Sequence, residues 1–301
     1  MVVLCLTKIK QAMNIRSLSA IICCLFCGNL LAQSSVTDTV EIARQKTELA
    51  TALQDTDRKL ADRQQAWLDA QTAKVKYDTI GLAQYRSEML ALKLARKAQE
   101  IRFVQQHPDY LVSLDALKDA IGPIPDDIRK YDRLFGKLRR SVRESEKGKA
   151  LRELIGRYMS VRTGVLAPAF TAPDTAGLPV QLADYRGKYV LVDFWASWCG
   201  PCRDENPFVV AAYRRFSNRN FDILSVSLDQ PGKKEQWLKA IHQDSLTWKH
   251  VSDLQYWNNA VAKLYMVRSI PQNFLIDPHG KIIAKDLRGK ALISKLEETF
   301  K

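Results

Sequence analysis

From Val36 to about Arg162 the apolar positions recur at helical spacing against a background of Ala, Gln, Lys, Arg, Asp and Glu, with no proline before Pro108. Leu53, Leu60 and Trp67 repeat every seven residues and Leu49 adds a four-residue neighbour, which predicts one apolar stripe along a long helix. The repeat is too short to specify a coiled coil. A second helical run is predicted over Leu82–Gln106, ending at His107-Pro108 because the residue before a proline is pushed away from helical geometry. Gly122-Pro123-Ile124-Pro125-Asp126-Asp127 then makes a break and a helix start, and a basic helix or pair of helices runs on to about Met159. Helices with a single apolar stripe must cover it. The region 33–164 is therefore a small bundle, a partner-binding arm or a dimer interface.

The pattern changes at Thr163-Gly164, where short apolar runs separated by Pro, Gly and Asp replace the helical spacing. Lys188–Trp195 reads as a buried strand, Cys199 to about Phe216 as a helix, and Phe221–Leu228 as a second strand. Helical segments near Lys233–His242 and Trp257–Tyr265 follow. Gln272–Asp277 and Lys281–Asp286 pair across the turn Pro278-His279-Gly280, and a helix over Ala291–Phe300 closes the chain. The expected fold is α/β over 165–301, a mixed sheet flanked by helices, preceded by an all-α N-terminal region.

The first 32 residues have a different pattern, a basic start followed by an apolar run and a small-residue exit, which reads as an export signal. It is best placed from Met13, with Arg16 as the charged start, Leu18–Leu31 as the apolar segment and cleavage after Ala32. At about 14 residues that segment falls short of the ~20 that a spanning helix needs; an uncleaved membrane tether is the alternative. Cys5, Cys23, Cys24 and Cys27 would leave with the signal, so the mature chain keeps only Cys199 and Cys202. A single close pair in an oxidising compartment points to use of that pair, since no framework of other bridges accompanies it. Removal of Lys8, Lys10 and Arg16 lowers the formal charge from +13 to +10. Much of the excess lies between Arg129 and Arg162, interleaved with Asp and Glu as on a solvated helix face, so no nucleic-acid partner is expected.

The segment Val190-Leu191-Val192-Asp193-Phe194-Trp195-Ala196-Ser197-Trp198-Cys199-Gly200-Pro201-Cys202 resembles the active-site stretch of thioredoxins. With Glu205 and Pro207 it extends to Cys-x-x-Cys-x-x-Glu-x-Pro, and the chain from Val165 to Lys301 is most similar to the exported TlpA/ResA-like branch. A cysteine at a helix start meets unpaired N–H groups and the positive end of the dipole, which lowers its pKa below the free value of about 8.5. Cys199 is the expected attacking sulfur. Two intervening residues put Cys202 on the same turn, where it resolves the mixed disulfide. Gly200 leaves the approach clear, Pro201 suits the first helical turn, and Pro207 is expected to kink the helix.

Asp193 sits among Val190, Leu191, Val192 and Phe194, where a carboxylate is either a proton acceptor for Cys202 or a hydrogen-bonding residue that fixes the strand. The resemblance implies that Pro271 is cis and faces the dithiol, that Ile270 offers backbone groups to an extended substrate, and that Trp198, Gly200 and Pro201 line the same surface. Glu205 is either a modulator of thiol acidity or an ordinary exposed helical glutamate. Covalent haem is excluded because Arg203, not histidine, follows Cys202, and His242, His250 and His279 lack metal-ligand spacing. No cofactor beyond the dithiol is expected.

The resemblance implies a periplasmic thiol-disulfide oxidoreductase that reduces disulfides in exported proteins and is recharged by a membrane thiol donor of the DsbD type, with cytochrome c biogenesis among the roles it allows. A peroxiredoxin-like peroxidase is the enzymatic alternative, favoured by Ala167-Pro168-Ala169-Phe170 and Asp184-Tyr185-Arg186-Gly187-Lys188 and opposed by Phe194, Trp195 and Ser197 ahead of the cysteine. A periplasmic interaction or dimerisation module with an attached redox domain is the other. The family's small β-rich domain has no counterpart ahead of the helices, and Val36–Gln99 departs from its pattern.

Overall fold

Two long helices answer the apolar stripe. α1 (Ile15–Thr72) and α2 (Thr79–Gln106) run antiparallel, and on α1 Leu53 is buried while Leu49, Leu60 and Trp67 are half-buried. Trp67 stacks on Tyr85 of α2 with ring centroids 4.9 Å apart, and Arg96 meets Asp57 at 2.6 Å. The stripe therefore faces α2. The computed structural model describes residues 15–72 and 79–301, with side chains over 38–69 and 84–301. The first 14 residues of the expected export segment lie outside the described residues. Among the described residues no helix is long and apolar enough to cross a membrane.

The chain forms two compact units, the first ending at Ala116 and the second running Leu117–Lys301. The junction falls within α3 (Val112–Ile121), a helix that the sequence pattern did not reveal. α4 (Ile128–Lys137) starts where the Asp126-Asp127 signal places it, with the Asp127 carboxylate accepting the Arg129 N–H at 3.1 Å. The expected basic helix or pair is three helices, because α5 (Arg140–Glu144) stops at Ser145 and α6 (Glu146–Met159) restarts there, its Gly148 N–H donating to Ser145 Oγ at 3.1 Å. Tyr131 and Tyr158 are fully buried, and the Tyr158 hydroxyl donates to the Pro123 carbonyl at 3.1 Å.

The rest of the second unit is a mixed sheet sandwiched by helices, as the α/β pattern predicts. β1 (Thr171–Pro173) and β2 (Pro179–Gln181) form a separate antiparallel pair. The main sheet holds β3 (Tyr189–Trp195), β4 (Phe221–Ser227), β5 (Lys249–Val251), β6 (Gln272–Ile276) and β7 (Ile282–Lys285) in the order β5-β4-β3-β6-β7. β3, β4 and β5 are parallel, linked by crossovers through α7 (Gly200–Phe216) and α8 (Lys234–Gln243). β6 runs antiparallel to β3, and β7 to β6 across a turn whose Gly280 has φ +84°. α10 (Gly289–Thr299) packs against α7. β3 is the central strand, and all its residues after Tyr189 are buried, which explains its unbroken apolar run.

Four elements differ from the sequence expectation. β1, β2 and β5 are three residues each, too short to show alternation. The helix expected over Trp257–Tyr265 is a 3-10 turn at Tyr256–Asn258 followed by α9 (Ala260–Leu264), because Asn259 caps the helix by accepting the Ala262 N–H.

One close approach fixes the α5/α6 junction. A Cβ at Gly148 would lie 2.3 Å from the Val142 carbonyl oxygen and 2.4 Å from that of Arg143, both backbone atoms of α5. Gly148→Ala must push the two helices apart and is expected to destabilise the protein by about 1–3 kcal/mol, the usual cost of overpacking. Chemical denaturation checks this. Gly156→Ala on the same helix, where a Cβ meets nothing within 4 Å, is expected to leave stability unchanged or raise it slightly.

Candidate active site

β3 ends at Trp195 and α7 begins at Gly200, and the four residues between are tied to the end of β4. Leu228 N–H donates to the Trp195 carbonyl at 2.8 Å, and the Trp198 indole donates to the Leu228 carbonyl at 3.2 Å. Asp229, fully buried, accepts from Ser197 through both its N–H, at 3.1 Å, and its hydroxyl, and from the Ser227 hydroxyl at 2.6 Å. These bonds hold the loop so that Cys199 becomes the N-cap of α7.

Cys199 and Cys202 are joined as a disulfide, with Cα atoms 5.2 Å apart, and both are buried. Cys199 Sγ also accepts the Cys202 N–H at 3.2 Å, so the attacking sulfur of the sequence reading sits on a helical donor. Pro201 occupies the first turn, where its missing N–H leaves no bond unmade. A Cβ at Gly200 would meet nothing within 4 Å, so the space beside it is open to an approaching molecule and packing does not require it. Trp198 is 44% exposed, with Tyr256 and Trp257 at centroid distances of 5.3 and 6.3 Å.

Asp193 lies in the middle of β3, paired in register with Ser225 of β4 and Asn273 of β6. Burial pushes its carboxyl up to about 7 against the opposing pull of Arg288, and the negative charge of Glu205 adds to the rise. The Ser225 hydroxyl, which accepts the Trp248 indole N–H at 2.8 Å, contributes one long bond to Asp193 at 3.5 Å. The carboxylate is thus poorly compensated, which suits a group that changes protonation near neutral pH.

The Ile270-Pro271 peptide is cis, and the Pro271 carbonyl accepts from the Arg288 guanidinium. Arg288 is the N-cap residue of α10 and also donates to the Leu287 carbonyl at 2.9 Å. Glu205 is half-buried and accepts the Gly289 N–H, the first of α10, so it is not an ordinary exposed glutamate. Glu205 and Arg288 together connect α7, the cis-proline segment and the head of α10. Pro207 lies inside α7, which remains one helix from Gly200 to Phe216.

Sequence reasoning missed Arg288, Asp229, Ser225, Tyr256 and Trp257. Asp229 carried a weak signal, a carboxylate at the end of an apolar strand like Asp193 at the centre of another. The others have no local pattern, since their relevance comes from chain neighbours up to 84 residues away in sequence, as for Glu205 and Gly289. Among the described residues no His, Cys, Asp or Glu cluster could hold a metal ion.

Comparison with known proteins meets this geometry over the same stretch. The family model described as AhpC/TSA matches residues 163–285. The thiol-disulfide oxidoreductase ResA of Geobacillus thermodenitrificans is 35% identical over 123 residues, covering 41% of this chain and 68% of the relative. That of Bacillus thuringiensis is 30% identical over 138 residues, covering 46% and 76%. Among solved structures, the thioredoxin domain of a thiol-disulfide oxidoreductase from Bacteroides vulgatus is 39% identical, covers 47% of this chain and all of that domain, and has a TM-score of 0.44. A thiol:disulfide interchange protein from Bacteroides sp. is 41% identical, covering 47% and 92%, with a TM-score of 0.43. With more than two thirds of two ResA proteins covered at 30% identity or above, the chain belongs to the ResA-type family of thiol-disulfide oxidoreductases.

Proposed function

We propose that the protein reduces disulfides in other exported proteins, with Cys199 attacking and Cys202 resolving. The observation that carries this is the Cys199–Cys202 disulfide at the head of α7, the helix that follows the strand in which Asp193 is buried with its carboxyl pushed up to about 7. In the reduced protein the N–H groups of the first turn stabilise a Cys199 thiolate. That thiolate attacks one substrate sulfur, forming a mixed disulfide and releasing the other substrate sulfur as a thiolate that takes up a proton. Asp193 takes the proton from Cys202, whose sulfur then attacks Cys199 Sγ. The Cys199–Cys202 bond forms, the second substrate thiol leaves, and two electrons have passed to the substrate.

An external thiol donor must restore the pair. The export signal over residues 1–32 supports a periplasmic setting, and a membrane conduit of the DsbD type fits a protein that does not meet cytoplasmic reductants. The Gly-Pro between the cysteines supports the reducing direction by resemblance. An exchange role is favoured over a peroxidase because the second sulfur lies within the same helical turn, bonded to the first. The paired helices α1 and α2 are suited to assembly or partner binding, since they form a compact unit of their own.

Two experiments follow. Cys202→Ser leaves Cys199 without its resolving partner, so cells producing that variant are expected to accumulate mixed disulfides through Cys199. Mass spectrometry of the trapped species should identify exported cysteine-containing proteins, and recovery of none would contradict the exchange reading. The second concerns Asp193. Its raised pKa means that the folded protein binds a proton the unfolded chain has lost, so stability falls as pH rises from about 4 to about 7, by up to roughly 1.4 kcal/mol per unit. Asp193→Asn should flatten that slope in denaturation of the oxidised protein and slow exchange by about 10²-fold, the lower range for a lost general base, with loss of the rate's dependence on pH near 7. An unchanged pH–rate profile would remove Asp193 from the proton path.

A further inference from the structure

A pocket of about 410 Å³ opens on the second unit, with Arg157 of α6, Lys263 of α9 and Arg268 around an apolar wall of Trp257, Met266 and Val267. One contact and one short step along the chain relate it to the dithiol. Trp257 sets its ring edge against Trp198, the residue before Cys199, with centroids 6.3 Å apart. Arg268 lies two residues before Ile270, at the start of the cis-proline segment. A polypeptide extended along that segment advances about 3.3 Å per residue, so residues two to four positions from its reacting cysteine lie roughly 7–13 Å along it, on the side where Arg268 and Trp257 stand.

The charge of the pocket is uncompensated. Arg157, Lys263 and Arg268 are exposed, and among the described residues none forms an ion pair. Other cations of the same unit do, among them Lys149 with Glu146, Arg152 with Asp132, Lys188 with Asp222 and Lys249 with Asp174. Arg268 lies against the Tyr158 hydroxyl, a neutral partner. The carboxylates nearest in the chain, Asp253 before Trp257 and Asp277 after Arg268, do not line the pocket, and neither does Asp286, half-buried beside Lys285 at 3.8 Å. Three cations with no carboxylate partner among the described residues, around a tryptophan and two buried apolar side chains, make a receptor for a carboxylate carried next to an apolar group.

We propose that this pocket selects the substrate protein, holding an Asp or Glu that stands two to four residues from the cysteine attacked by Cys199, next to an apolar residue. The proposal rests on the exchange function above and adds a recognition rule to it. Arg157 comes from a helix ahead of the sheet, so the helical segment before the redox fold takes part in choosing substrates.

The test uses the full chain, reduced, with three probes: a peptide disulfide carrying Glu three residues from its cysteine, the same peptide with Lys there, and 2-hydroxyethyl disulfide. Stopped-flow tryptophan fluorescence gives each rate. The Glu peptide is expected to react about tenfold faster than the Lys peptide at low ionic strength, with the ratio shrinking in high salt. The ratio cancels any general effect on the dithiol. The double variant Arg157→Glu, Lys263→Glu should reverse it, and Arg157→Gln, Lys263→Gln should bring it near one; circular dichroism confirms that each is folded. Equal rates for the two peptides, with 2-hydroxyethyl disulfide still reduced, would overturn the pocket alone. So would a ratio that survives both double variants, since the protein's overall positive charge would then be its source. No reduction of any probe would instead overturn the exchange function.

Discussion

The chemistry of this protein depends on where one helix begins. Cys199 must be the residue that caps α7, because only there does its sulfur meet the first-turn N–H groups and remain one turn from Cys202. A start one residue later would leave Cys199 in the loop; one earlier would place it within the helix, with its own N–H drawn into the first turn. The start is fixed by tertiary bonds more than by propensity. Asp229 grips Ser197 through backbone and hydroxyl, and Leu228 holds both Trp195 and the Trp198 indole, so the end of β4 determines where the helix after β3 starts.

Within the sheet the protein keeps a carboxylate in a place that solvation opposes. Asp193 sits in the central strand, and its one side-chain bond, from Ser225, is too long to offset burial. Two further charges set the balance, with Arg288 pulling its pKa down and Glu205 pushing it up. Glu205 belongs to the dithiol helix, Arg288 to the head of α10, and Arg288 also holds the Pro271 carbonyl. Asp193, the dithiol helix and the cis-proline segment thus share one electrostatic network. Any of the three that moved would alter the field at the other two.

The sequence shows most plainly those features in which local pattern and tertiary role coincide. β3 is buried on both faces, so its apolar run is continuous and the lone carboxylate within it stands out. α7 announces itself by its cysteines and proline, and the β6–β7 pair by its glycine turn. Glu205 was ambiguous because its position on the helix does not reveal that α10 begins against it. Arg288 and Trp257 were invisible for the same reason: nothing near them in the chain marks them, and their importance arises only after the sheet has closed. β1, β2 and β5 were hidden by shortness, since three residues cannot express a period of two.

The composition of the chain and its packing divide it at different places, for physical reasons. Helical residue usage ends near Thr163, where strand-forming runs start, yet the compact second unit already begins at Leu117. Composition reports local propensity, whereas compactness reports which surfaces bury one another. α4 and α6 have strongly one-sided apolar faces, with Ile128, Tyr131, Leu134 and Phe135 buried on the first and Leu151, Ile155 and Tyr158 on the second. Such helices cannot stand alone as a spacer, because the exposed stripe would carry a larger penalty than their backbone bonds repay. They are built into the redox unit. Once there, α6 brings Arg157 to the same pocket as Lys263 and Arg268, so a segment that composition assigns to the N-terminal helical region becomes part of the surface of the redox unit.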